Sequence, residues 1–238
     1  MILPRIRASF DRSDAMALVE ILGRSDPEAR ARARERLDAY GIDVLLDDPR
    51  ILPAILSASD VGLRPPLIFY VLVRHALLER GVDDPATADY LASMVMAFAF
   101  GRRAWSPTGD PGDEFEYMVD LLIRLSQASD PGDRFLVQTH TGNYALWLTG
   151  VFPDFVEGRR RRGAPPYQYY EALGSAGFRS AAESDQAVRL GMDGVLREVS
   201  LRFGQLRGAL NRLSDRYLWR DAGNPVGRLI REVQWKKG

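Results

Sequence analysis

The sequence predicts an all-α protein, and three observations carry that expectation. Apolar residues recur at helical spacing along nearly the whole chain. No stretch alternates with period two as a half-buried strand would. The segments between apolar runs are rich in helix starts and stops. With 238 residues, 46% of them hydrophobic, the chain is long enough to bury one large core. The expectation is a single domain of about nine or ten helices around a buried hairpin, with a long amphipathic C-terminal helix. A subdivision into 1–157 and 166–238, joined by an arginine-rich loop at 158–165, is the alternative.

The elements follow in order. "RSDAMALVEILG" opens at Ser13 or Asp14 and stops at Gly23. "SDPEARARARERLDAYG" has Asp26 as N-cap, Pro27 at the first helical position and Gly41 as its stop. Ala29, Ala33, Leu37 and Tyr40 form its apolar stripe. "DPRILPAILSA" is a shorter helix in which Pro53 falls early enough to be tolerated. Residues 66–80 and 86–100 are apolar nearly all round and must be buried all round. Gly81 ends the first and Asp84-Pro85 begins the second, which reads as an antiparallel hairpin. The turn clusters "SPTGDPGDE" and "ASDPGDR" bracket a helix from about Gly112 to Ser129. A helix containing His140 follows, and "EGRRRRGAPP" reads as a loop.

The last third has the most regular pattern. Val188, Met192, Val195, Val199, Arg202, Leu206, Ala209 and Leu213 keep the 4-3-4-3 spacing of a coiled-coil seam, with Arg202 the one departure. Gly191, Gly194, Gly204 and Gly208 lie off the seam, each costing about 1 kcal/mol relative to Ala within a helix. Such a helix needs packing, either within its own bundle or against a second copy.

Composition excludes several classes of function. Acidic and basic residues balance at 32 each, and there is no cysteine. Disulfides, zinc thiolates, iron–sulfur clusters and thiol nucleophiles are therefore excluded. A global charge that would draw the protein to nucleic acid or an anionic membrane is also missing. The N-terminus has Pro4, Arg5 and Arg7 where a signal peptide needs an unbroken apolar run. The most apolar segment is interrupted by Arg74 and His75, so the expected setting is cytoplasmic with no membrane partner. Two histidines without the Glu-x-x-His pattern imply no transition-metal site. No H-E-x-x-H, P-loop or G-x-S-x-G motif points to an enzyme class or a cofactor.

Four groups of residues are candidates for function. In "QTHTGNYALWLTG", His140 shares a helix face with Leu136, Tyr144, Trp147 and Val151, and Asn143 lies at the edge of that face. It reads either as a buried neutral imidazole or as a base in an aromatic-walled pocket with Asn143, Tyr144 and Trp147. Arg74 and His75 lie within the apolar hairpin. A guanidinium there needs a carboxylate from the protein, or else it binds an anionic ligand. "GDPGDEFEYMVD" offers Asp113, Glu114, Glu116 and Asp120, for which helix capping is the simpler reading than a cation site. Arg159, Arg160, Arg161 and Arg162 precede "APPYQYY", a basic and aromatic combination that suits nucleic acid or another anion. "YYEALGSAGFRSAA" places Tyr170, Leu173, Gly174, Gly177 and Ala181 on one stripe, which reads as a close helix crossing.

Three functions are compatible with these features. The favoured one is an interaction or scaffold protein, a homo-oligomer or partner of another helical protein, joined through Val188, Met192, Val195, Val199, Leu206 and Leu213. Nucleic-acid or anion binding at Arg159–Arg162 is the second. A small-ligand or enzyme pocket around His140 is the third.

Overall fold

A computed structural model of the chain describes residues 1–24, 26–57, 63–100, 106–108, 110, 113–115 and 117–218, with the backbone alone at Phe100, Tyr217 and Leu218. The described residues form thirteen α-helices and no strand. The architecture is all-α, as the helical periodicity predicts, with more and shorter helices than expected. None of them is long and apolar enough to cross a membrane.

Local chemistry explains the boundaries. α1 (Arg12–Leu22) is capped by Asp11, not by Ser13 or Asp14: its carboxylate accepts from Ser13 N at 2.7 Å and Asp14 N at 3.2 Å. Asp14 closes the box by accepting from Asp11 N at 3.0 Å. α2 (Pro27–Tyr40) starts at Asp26-Pro27 and stops at Gly41, as read from the sequence. Its stripe is shorter than predicted, because Ala29 and Ala33 are buried while Tyr40 is exposed. The short α3 (Asp43–Leu46) has no counterpart in the expected pattern, and α4 (Ile51–Ser57) follows with Pro53 in its first turn.

α5 (Pro65–Leu78) and α6 (Pro85–Phe100) form the expected hairpin, and α5 is buried from Leu67 to Leu77. Across it lies α8 (Pro131–Val151), 21 residues started by Asp130. α8 packs most extensively on α10 (Tyr167–Ala182), and the small-residue stripe explains how closely. A Cβ at Gly177 would fall 2.7 Å from the Gln138 carbonyl oxygen, and one at Gly142 2.7 Å from the Phe178 ring. Ser175 and Ser200 then tie α10 to α12 (Asp193–Leu201): each hydroxyl donates to the other residue's carbonyl, at 3.0 and 2.9 Å.

The C-terminal pattern is amphipathic, but three helices carry it: α11 (Asp185–Arg189), α12 and α13 (Phe203–Leu213), followed by a π turn at Ser214–Leu218. Gly191 makes the first break. At φ 65° it adopts the left-handed conformation, Gly191 N donates to Val188 O, and Met192 N donates to Ala187 O at 2.8 Å. This glycine therefore ends a helix, where the sequence reading counted it as a penalty inside one. Arg202, the seam's departure, is the junction between α12 and α13.

Candidate functional site

His140, Asn143 and Trp147 of α8 are all buried. His140 is buried against the rings of Phe98 and Phe115, at 5.7 and 5.3 Å between centroids. The cavity beside it measures about 10 Å³, too small for anything beyond a water molecule. Asn143 Oδ1 accepts from the buried Tyr90 hydroxyl at 2.8 Å. Trp147 meets Phe98 and Phe152 edge-on at 5.7 and 5.4 Å. Among the described residues the space beside His140 is thus smaller than the aromatic pocket expected there, and of its four members Tyr144 reaches a larger pocket elsewhere.

Arg74 and His75 are also held from within. Arg74 is 2% exposed and makes a two-pronged pair with Asp47, at 2.8 Å for both Nε and Nη2, with Asp83 as a further partner. These carboxylates push the guanidinium pKa further up against the opposing effect of burial. The His75 Nε2–H donates to Leu46 O at 2.9 Å. Both side chains have protein partners, and the two histidines lie against different neighbours.

The acidic stretch divides. α7 begins later than expected (Met118–Gln127), because Asp120 caps it by accepting from Tyr117 N at 2.8 Å. Asp113 precedes the helix and, with Asp133, embraces Arg124 (3.1 and 2.6 Å). Glu116 lies outside the described residues. Among the described residues no three His, Asp or Glu side chains gather as metal ligands would.

The arginine run is where the structure adds most. It is a loop only in its second half: α9 spans Pro153–Arg160, Arg161 and Arg162 lie in the turn that follows, and Gly163 closes it at φ 92°, with Gly163 N donating to Arg160 O and Ala164 N donating to Arg159 O (3.0 and 3.1 Å). This ordered stop sorts the four arginines. Arg160 forms a two-pronged pair with Glu157 at 2.8 and 2.7 Å, Arg161 reaches the same carboxylate at 3.5 Å, and Arg162 donates to Gly158 O at 3.3 Å. Arg159 differs. Four residues before it stands Phe155, not an acid, and its guanidinium carbon lies 5.3 Å from the ring centroids of both Phe155 and Tyr117. Among the described residues no carboxylate pairs with it.

Arg159 and Ala164 line one side of a pocket of about 210 Å³ between α7, α8 and the start of α10. Tyr117, Met118, Tyr144, Leu148 and Tyr170 supply much of the remainder. Burial pushes the Tyr144 phenol up to about 12, helped by Tyr170 and opposed by Arg159. Burial likewise raises Tyr170 against the pull of Arg159. Both hydroxyls therefore stay protonated at neutral pH. The site can accept an aromatic ring among tyrosines and offer a cation to one end of it.

Sequence reading named Arg159 and Tyr144 but assigned them to separate sites, and it passed over Tyr117, Met118 and Leu148. A signal for α9 was present: glycine followed within two residues by Pro165-Pro166 marks a helix stop. Nothing local could pair residues 117 and 159.

The expected seam between copies is corrected as well. Met192, Val199, Leu206 and Leu213 are buried within the chain's own core, and Val195 packs partly against it. Val188 is exposed but stands alone on α11. Each buried side chain contributes about 1.5–3 kcal/mol where it is, so moving the seam to a subunit interface would require opening the core.

Comparison with protein-family models, curated proteins and solved structures finds no match for this chain.

Proposed function

We propose that this protein binds a small molecule in the pocket between α7, α8, α9 and α10. One observation carries the reading: a cavity of about 210 Å³ whose wall combines four tyrosines with an arginine that has no carboxylate partner among the described residues. An apolar cavity of about 150 Å³ suffices to hold benzene, so the space fits one ring or two fused rings. The test is binding of two-ring aromatic probes to the full chain, followed by native mass spectrometry and thermal denaturation. Ala164→Trp would fill the mouth from a half-exposed turn without disturbing the core. We expect saturable binding and a raised melting temperature, both lost in Ala164→Trp. A folded protein that holds no aromatic probe would overturn the reading.

A second reading keeps the interaction role expected from the sequence but moves it away from the C-terminal helices. Val119 and Ile123 lie one turn apart on the outer face of α7, each about half exposed. Such neighbouring apolar side chains suit a protein partner. Ile123→Lys, outside the pocket lining, should then abolish any association seen in sedimentation while leaving pocket binding intact. Association unchanged by the substitution would count against it.

A further inference from the structure

We infer that the ligand of this pocket is an aromatic monoanion, an aryl carboxylate, with its ring among Tyr144, Leu148 and Tyr170 and its carboxylate at Arg159. The inference rests on the small-molecule reading above and specifies the class of ligand.

Charge is the first argument. None of the ten residues lining the pocket is acidic, and Arg159 is its one cation. Elsewhere this chain neutralises such arginines: Arg74 has Asp47 and Asp83, and Arg124 has Asp113 and Asp133. The periodicity of α9 denies Arg159 the same treatment. Glu157, two residues away, points to Arg160 and Arg161, and residues two apart on a helix do not face each other. A partly buried cation with no carboxylate partner among the described residues favours one from outside.

Valence and shape are the second. A single guanidinium in the pocket wall matches one negative charge, whereas a phosphate monoester approaches two. Its contacts with the Tyr117 and Phe155 rings restrain the guanidinium. A restrained planar fork is matched by the two oxygens of a carboxylate. The phenols of Tyr144 and Tyr170 are both pushed up, chiefly by burial, so they add no competing anion.

Volume is the third. A space of about 210 Å³ accommodates two fused rings and leaves out a nucleotide. A neighbouring cavity of about 250 Å³ makes the contrast, since Asp113, Glu114 and Asp120 line it and its Arg124 is already paired.

The experiment is titration calorimetry of the full chain with 2-naphthoate, with its neutral isostere 2-naphthamide, and with acetate. Wild type and Arg159→Gln are compared, with circular dichroism to confirm that the variant is folded. We expect naphthoate to bind at least about tenfold more tightly than naphthamide, as one charge-assisted fork implies, and acetate not to bind at millimolar concentration. In Arg159→Gln the naphthoate affinity should fall to that of the amide, while the amide is unaffected. Equal affinities for the two aromatics, or a variant that holds naphthoate as before, would overturn the anionic class and leave the pocket reading standing. If neither aromatic binds the folded wild type, the pocket reading fails and this inference with it.

Discussion

The guanidinium carbon of Arg159 stands 5.3 Å from the centroid of the Tyr117 ring, joining the end of α9 to the residue that precedes α7. Neither a shared helix nor a turn brings these residues together. A cation over an aromatic face at an accessible site contributes about 0.5–1 kcal/mol, enough to orient the side chain but not to neutralise it. The contact therefore positions the charge without neutralising it.

Binding of an aryl carboxylate at this site should be flat in pH across the neutral range. Guanidinium groups stay charged in proteins, and burial pushes the Tyr144 phenol up to about 12. Affinity should fall only below about pH 4, where the ligand's own carboxylate is protonated. Titrations between about pH 5 and 10 check this, and an affinity that changes across that range would overturn the expectation.

The α8–α10 crossing should be intolerant of one methyl group. Gly142→Ala places a Cβ 2.7 Å from the fully buried Phe178 ring, and overpacking of this kind costs about 1–3 kcal/mol. Gly158 in α9 is the control, because a Cβ there meets nothing within 4 Å. Gly158→Ala should stabilise by about 0.5–1 kcal/mol. Urea unfolding of both variants measures the two signs, and equal effects would refute the packing argument.

The bond from Tyr90 to Asn143 offers a thermodynamic cycle. Tyr90→Phe strands a buried Asn143 oxygen, at a cost of about 1–3 kcal/mol. Asn143→Leu removes the acceptor. Combined, the two substitutions should destabilise by less than the sum of the single effects. Strict additivity would show that the bond contributes nothing.

Two aspartates should respond to acid with opposite signs. Asp48 is held well below its ordinary 3.8, first by its bond to Arg50 against the opposing effect of burial, with Arg36 adding to it. Its contribution is full above 3.8 and is lost as pH falls toward the lowered native value. Asp89 is raised by burial, although Oδ1 accepts from Ile6 N and Arg7 N at 2.9 and 3.2 Å. Its contribution is full below 3.8 and is lost as pH rises through the raised native value. Asp48→Asn should accordingly lower stability at neutral pH and flatten the acid limb. Asp89→Asn keeps an oxygen for both amides and removes a buried charge, so stability at pH 7 should be unchanged or higher. Unfolding free energies at about pH 3, 5 and 7 decide, and a loss of the same size at every pH in Asp48→Asn would sink the first assignment.

Much of the architecture was legible before any coordinate. The hairpin of α5 and α6, the Asp26-Pro27 start and Gly41 stop of α2, and the close crossing at Gly174 and Gly177 all follow from spacing within a few residues. The boundary errors were local as well. Asp11 caps where Ser13 or Asp14 was expected, and the Asp120 cap starts α7 later than the turn cluster suggests. Gly163 and Gly191 end helices that were read as a loop and as one continuous seam.

The candidate site was legible only in fragments. Arg159 stood out by its company and Tyr144 by its neighbours, but the arginine run looked uniform. Only the phase of α9 shows that Glu157 takes Arg160 and Arg161 and leaves Arg159 to the rings of Phe155 and Tyr117. His140, the most chemical residue by type, became a core residue once Phe98 and Phe115 closed around it.

By itself, then, the sequence determined the all-α class, the buried hairpin and the absence of thiol chemistry, because helical period, capping and composition act over one or two turns of chain. Tertiary structure alone decided that the seam faces inward, that Arg74 is neutralised by Asp47 and Asp83, and that Arg159 has no carboxylate partner among the described residues. Whether a charge or an apolar face has a partner depends on which helices meet in space, and Arg74 and Asp47 come from different helices 27 residues apart.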